Sequence, residues 1–133
     1  MKPTNSPVIL IIDDEEIIRE AVRAYLEDYE YSVLTAENGS QGLEILRSGD
    51  VDLLLADLRM PELDGLQVLS VVQQEFADLP VIVVSGTGEI ADVVEALRRG
   101  AWDYLLKPIS DMTILRHAIE KCLERADLIQ ENR

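Results

Sequence analysis

The sequence predicts an α/β domain of five strand–helix units on a parallel sheet, and three observations carry that prediction. Five short apolar runs alternate with five stretches of helical periodicity. Two of the runs, Val8 to Ile12 and Val81 to Val84, show no polar alternation, as expected of strands covered on both faces. Polar residues of chemical consequence then stand at the downstream ends of the runs: Asp13 and Asp14 after VILII, Asp57 after LLLA, Ser85 after VIVV and Lys107 after YLL. Adjacent parallel strands lie about 4.8 Å apart, so residues at their carboxyl ends converge on one crevice, where open α/β sheets place ligands.

The elements follow in order. Strand one, Val8 to Ile12, leads to Glu15 and Glu16, acids suited to the positive end of a helix, and then to Ile17, Ile18, Ala21, Val22, Tyr25 and Leu26 at helical spacing. Ser32 to Ala36 reads as the second strand and Ser40 to Arg47 as its helix, with Gly49 as a stop. Val51 to Ala56 and Leu66 to Phe76 form the third unit, and Val81 to Val84 with Glu89 to Arg99 the fourth, stopped by Gly100. A weaker strand, Asp103 to Leu106, precedes a last helix from Asp111 to about Gln130. Turn signals fall at Asn38-Gly39, Met60-Pro61, Asp64-Gly65 and Ser85-Gly86-Thr87-Gly88, and no repeat or low-complexity tract interrupts the pattern. One domain is expected.

Composition narrows the function. The 133 residues, 47% of them hydrophobic, suffice for a two-sided sheet core. With 26 acidic against 12 basic residues the formal charge is −14, which repels phosphate backbones and anionic lipid, so no direct nucleic-acid or membrane binding is expected. The single Cys122 excludes an internal disulfide and a multi-cysteine metal site, in keeping with a reducing cytoplasm. The opening MKPTNSP lacks an apolar core, and no run reaches the roughly 18 residues of a membrane span, so a soluble, cytoplasmic protein is expected.

The carboxylates indicate the chemistry. Three acids gathered at strand ends repel one another unless a cation neutralises them. An all-oxygen site with room for water and a phosphate oxygen suits Mg²⁺, with Asp14 and Asp57 as direct ligands and Asp13 acting directly or through water. An aspartate beside Mg²⁺ can attack phosphorus, and Asp57, the acid set singly on the middle strand, is the expected phosphoacceptor. Lys107 and Ser85 can each donate to a phosphoryl oxygen.

Asp13-Asp14, Asp57-Leu58-Arg59-Met60-Pro61-Glu62-Leu63-Asp64-Gly65, Ser85-Gly86 and Tyr104-Leu105-Leu106-Lys107-Pro108 together resemble the receiver domain of two-component response regulators, over nearly the whole chain. The resemblance implies a flavodoxin-like doubly wound (βα)₅ fold of strand order 2-1-3-4-5. It also implies Mg²⁺-dependent phosphorylation of Asp57 by a histidine kinase or phosphotransfer protein, with slow self-dephosphorylation and no other enzymatic activity. The main-chain carbonyl of Arg59 is then a metal ligand, Ser85 and Tyr104 form the switch pair, and the Lys107-Pro108 bond is cis. From Ser85-Gly86 through Ala96 to Ala101 and on to Asp111, the chain is also similar to receivers of RssB-type regulators, which control the stability or availability of a stress sigma factor. NtrC-like receivers share much of that stretch.

Three features belong to this chain. Arg59, two residues past Asp57, can cover a phosphoryl group or pair with an acid, and so hinder hydrolysis; Arg59→Ala should shorten the life of the phosphoform. Leu115, Ile119, Cys122, Ala126 and Ile129 give the last helix an apolar seam running to the chain end, so 124–133 is expected to begin a helical linker to a downstream output domain, or a dimer contact. Ile90, Ala91, Val93, Val94, Ala96 and Leu97 exceed one helical stripe and, with Trp102 and Tyr104, mark a partner or homodimer surface across the fourth helix, fifth strand and fifth helix. On that helix Val93 and Leu97 are expected to pack on the sheet more readily than Trp102. His117 has no partner ligands, Cys122 reads as an inert buried thiol, and Gly86-Thr87-Gly88 lacks the spacing of a nucleotide loop. Two other functions compete: a haloacid-dehalogenase-like phosphatase, whose second catalytic acid is replaced here by Arg59, and a binding module indifferent to phosphorylation.

Overall fold

The computed structural model describes residues 6–60 and 63–131, so Pro61, Glu62 and both chain termini, including the end of the expected linker, lie outside the described residues. Five strands, β1 (Val8–Ile12), β2 (Ser32–Ala36), β3 (Leu53–Ala56), β4 (Val81–Ser85) and β5 (Asp103–Leu106), alternate with helices α1 (Glu16–Asp28), α2 (Gly39–Ser48), α3 (Gly65–Glu75), α4 (Ile90–Arg98) and α5 (Met112–Glu131). All four strand pairings are parallel, and the order is β2-β1-β3-β4-β5, as expected.

Strand alternation divides the core in two. Leu10, Ile12, Leu54, Ala56, Val81 and Val83 face α2, α3 and α4, where Leu43, Leu46, Val68, Leu69, Val72 and Ala96 meet them. Ile9, Ile11, Leu53, Leu55, Ile82 and Val84 face the other way, against Val22 and Leu26 of α1 and Leu115 and Ile119 of α5. The central strands are apolar throughout because both faces are covered.

Several boundaries move. The third strand starts at Leu53 rather than Val51; just before it, Asp52 still donates its N–H to the Val8 carbonyl at 2.8 Å while its carboxylate accepts the Val8 N–H at 2.7 Å. The fourth runs one residue further, to Ser85. Asn38 caps α2 by accepting the Gln41 N–H at 2.8 Å, and Asp64 closes a capping box with Gln67, so both helices begin at glycines one residue earlier than the apolar pattern suggests. Gly49 ends α2 in extended backbone (φ −140°), whereas Gly100, at φ +110°, takes the left-handed region after α4.

Two helical faces differ from expectation. On α1 the inward side is Ile18, Val22, Tyr25 and Leu26, while Ile17 is 87% exposed, since a step of 100° carries it onto the neighbouring stripe with Ala21. On α4 only Ala96 is fully buried; Ile90, Val94 and Leu97, spaced by four and three, form an outward stripe, so Leu97 is not packed on the sheet. Trp102 instead packs against the α5 side of the core, with the Arg125 guanidinium 4.6 Å above its ring. His117 is exposed, Cys122 is buried and free, and no described helix is long and apolar enough to cross a membrane.

Candidate functional site

The sheet ladder continues into the site. Asp57 N–H bonds to the Ile12 carbonyl at 3.0 Å, Asp13 N–H to Ala36 at 3.1 Å, and Lys107 N–H to Ser85 at 2.8 Å, so each side chain is fixed one step beyond a paired residue. Neighbouring strands thus deliver their terminal side chains side by side. Asp13 and Asp57 are each 5% exposed and Ser85 is fully buried, whereas Asp14 is open to solvent. Gly65 keeps α3 tight behind them: its N–H bonds to Leu58, and a Cβ there would lie 2.6 Å from the Leu58 Cα.

Lys107 binds the acids together. Its Nζ lies 2.9 Å from Asp13 Oδ2 and 2.9 Å from Asp57 Oδ2, and 3.3 Å from Glu15 Oε1. Burial alone would lower the lysine pKa, but hydrogen bonds to Asp13 and Asp57 and their charges outweigh it, so the ammonium is held firmly. Asp57 shows the reverse balance: desolvation raises its pKa, Lys107 and the Arg59 N–H pull it down without cancelling the rise, and Asp13 adds to it. The remaining Asp57 oxygen, Oδ1, accepts the Arg59 N–H at 3.2 Å. The Lys107-Pro108 bond at this rim is cis.

One ammonium does not balance these acids. Asp13, Asp14, Glu15 and Asp57 each offer a carboxylate oxygen within 4.8 Å of the others. An all-oxygen, carboxylate-rich donor set with surplus negative charge fits a hard divalent cation. An open recess of about 410 Å³ lies beside it, lined by Asp14, Glu15, Asp57, Arg59, Gly86, Thr87 and Lys107. A larger hollow, about 740 Å³, lies against Pro7, Val51 and Pro80 at the opposite strand ends and contains none of the expected site residues.

The remaining residues form the rim of the recess. The Arg59 side chain reaches Asp92 Oδ2 at 2.9 Å, choosing an acid on α4. The same Asp92 oxygen accepts the Thr87 hydroxyl at 2.9 Å, and the Thr87 N–H faces Ser85 Oγ at 3.5 Å. Tyr104 is half-buried against the core, its hydroxyl donating to the Thr87 carbonyl at 2.6 Å; burial raises its pKa although Ser85 opposes the shift. The ring is therefore turned inward. All seven residues singled out in the sequence thus converge on one end of the sheet. Sequence reading missed Glu15 and Asp92: Glu15 was explained by the dipole of its helix, Asp92 stands as one polar residue among the apolar ones of α4, and neither spacing reveals a partner from another strand end.

A sheet of this order with these strand-end acids defines a signalling receiver, and the chain belongs to the response regulator receiver domain family, whose pattern it matches over residues 9–128. It is 37% identical over 118 residues to the transcriptional regulatory protein GlrR of Escherichia coli strain K12, and that alignment covers 89% of this chain and 26% of GlrR. It is 34% identical over 122 residues to the Regulator of RpoS of the same organism, covering 92% of this chain and 36% of the relative. Among solved structures it resembles a CheY-like receiver domain protein from Methanospirillum hungatei JF-1, with a TM-score of 0.88 and 26% identity over 92% of this chain and 98% of the other. The chain therefore spans about a quarter to a third of the length of these curated relatives.

Proposed function

We infer that this receiver is a switch thrown by phosphorylation of Asp57. The observation that carries this reading is a buried carboxylate set among further acids and held at 2.9 Å by Lys107, beside an open recess. Asp13, Asp14 and Asp57, with the main-chain carbonyl of Arg59, would hold Mg²⁺, which supplies the positive charge that lets carboxylates and phosphoryl oxygens share the site.

The residues divide the work. An Asp57 oxygen attacks the phosphorus of a phosphohistidine on a histidine kinase or phosphotransfer protein; the O–P bond forms as the N–P bond breaks, and the imidazole keeps the electron pair. Lys107, already charged and fixed, meets a phosphoryl oxygen without reorganising. The buried Ser85 hydroxyl is the second donor, and its movement toward the phosphoryl group favours the inward Tyr104. Arg59 at the rim restrains the water that would hydrolyse the acyl phosphate. The altered surface is that of α4, β5 and α5, where Ile90, Val94, Leu97 and Leu106 are exposed, and it would engage a second copy, an output domain reached through the linker starting near residue 124, or a protein partner in the cytoplasm. By likeness to its relatives the output would be control of transcription, including control through a sigma factor.

The test is incubation with acetyl phosphate and Mg²⁺. Intact mass should show one added phosphoryl group on the parent protein and none on Asp57→Asn. Equal labelling of the variant would refute the assignment.

A further inference from the structure

We propose that Asp92 is a positioning residue: by gripping Arg59 and Thr87 together it holds the β4–α4 connection in the arrangement that keeps Tyr104 inward, and so raises the affinity of Asp57 for a phosphoryl group. The inference rests on Asp57 as phosphoacceptor.

The contacts form a chain around the recess. Arg59 is rooted beside Asp57 by its own N–H, 3.2 Å from Oδ1, and its side chain crosses to Asp92 Oδ2 at 2.9 Å. That oxygen also takes the Thr87 hydroxyl at 2.9 Å. Thr87 in turn accepts from Tyr104 at 2.6 Å through its carbonyl and faces Ser85 Oγ through its N–H at 3.5 Å. One carboxylate oxygen thereby ties the loop after β3 to the loop after β4, and through Thr87 to the β5 tyrosine. Glu89 N–H, at the mouth of α4, adds a 3.3 Å bond to the Thr87 hydroxyl.

An exposed ion pair contributes little to stability by itself. Its effect here is on an equilibrium between loop arrangements of similar energy, where a small bias moves populations. Linkage then requires reciprocity: if this chain of contacts favours the arrangement that binds phosphoryl oxygens best, breaking it must loosen their binding. Simple Coulomb reasoning gives the opposite sign, because removing a negative charge beside the recess would tighten binding of an anion. The two accounts can therefore be separated.

The experiment measures beryllofluoride affinity at saturating Mg²⁺ for the parent, Asp92→Asn, Arg59→Ala and the double variant. Asp92→Asn keeps an acceptor for the Thr87 hydroxyl while losing the charge that holds Arg59. It should bind about threefold more weakly than the parent and cause no further loosening once Arg59 is gone. Fluorine NMR of fluorotyrosine-labelled protein, with Tyr104→Phe assigning the line, should show Tyr104 shifting toward an exposed environment in both single variants. Arg59→Ala leaves the Asp92 charge at the start of α4, so a role confined to that helix end would not move the line. Unchanged or tighter binding by Asp92→Asn, or an unmoved Tyr104 line, would overturn the proposal. A parent that binds no beryllofluoride while the Tyr104 line still shifts would overturn the phosphoacceptor reading and the claimed link to Asp57 with it.

Discussion

Asp57 is kept where its ionised form is costly, which gives the site its demand for a cation. A carboxyl whose folded pKa is raised favours folding below its unfolded value, and that contribution disappears as pH rises through the folded value. Metal-free protein should therefore gain stability at this residue as pH falls from neutral into the upper carboxylate range, against the usual trend for paired acids. Asp57→Asn should raise the metal-free Tm at pH 7, abolish that pH dependence and remove the gain in Tm on adding Mg²⁺; thermal melts with and without Mg²⁺ at pH 5 and 7 measure all three. Cys122 lies at the opposite chemical extreme. Burial lifts its thiol to about 11, which leaves it protonated and inert on the α5 seam at neutral pH.

Strand ends deliver these side chains, and at Gly65 the start of α3 behind them depends on a missing atom. A Cβ would meet the Asp57 carbonyl and come within 2.6 Å of the Leu58 Cα, both backbone groups that cannot rotate aside. Gly65→Ala should cost about 1–3 kcal/mol in urea denaturation and also weaken Mg²⁺ binding, because the displaced segment carries the acceptor. The three central strands were legible because burial on both faces leaves near-continuous apolar runs, the edge strands β2 and β5 only by their place in the alternation, and Asp13 and Asp57 were legible because each directly follows a central run. Which face of α4 points outward was not: Ile90, Val93, Val94, Ala96 and Leu97 satisfy two overlapping stripes, and only the burial of Ala96 in the core shared with α2 and α3 decides between them. The Arg59–Asp92 pair was equally hidden, since 33 residues separate its members and either could have remained solvated.

Across the whole molecule, the site lies at the strand ends beside the start of α4, which carries the exposed apolar stripe, so events at Asp57 need travel only through Ser85 and Thr87 to reach Asp92 on α4. If that stripe closes on a second copy, light scattering should show a monomer becoming a dimer on addition of beryllofluoride and Mg²⁺, and Leu97→Ser should restore the monomer without lowering Tm by more than about 2 °C, because Leu97 is already exposed. A monomer in every condition would point to a different protein as the occupant. The lone indole of the chain lies beneath Arg125, where α5 rests on the start of β5. Its emission is consequently a built-in optical gauge of α5 seating: peeling that helix away would strip off the guanidinium and wet the ring, reddening the spectrum without any attached dye.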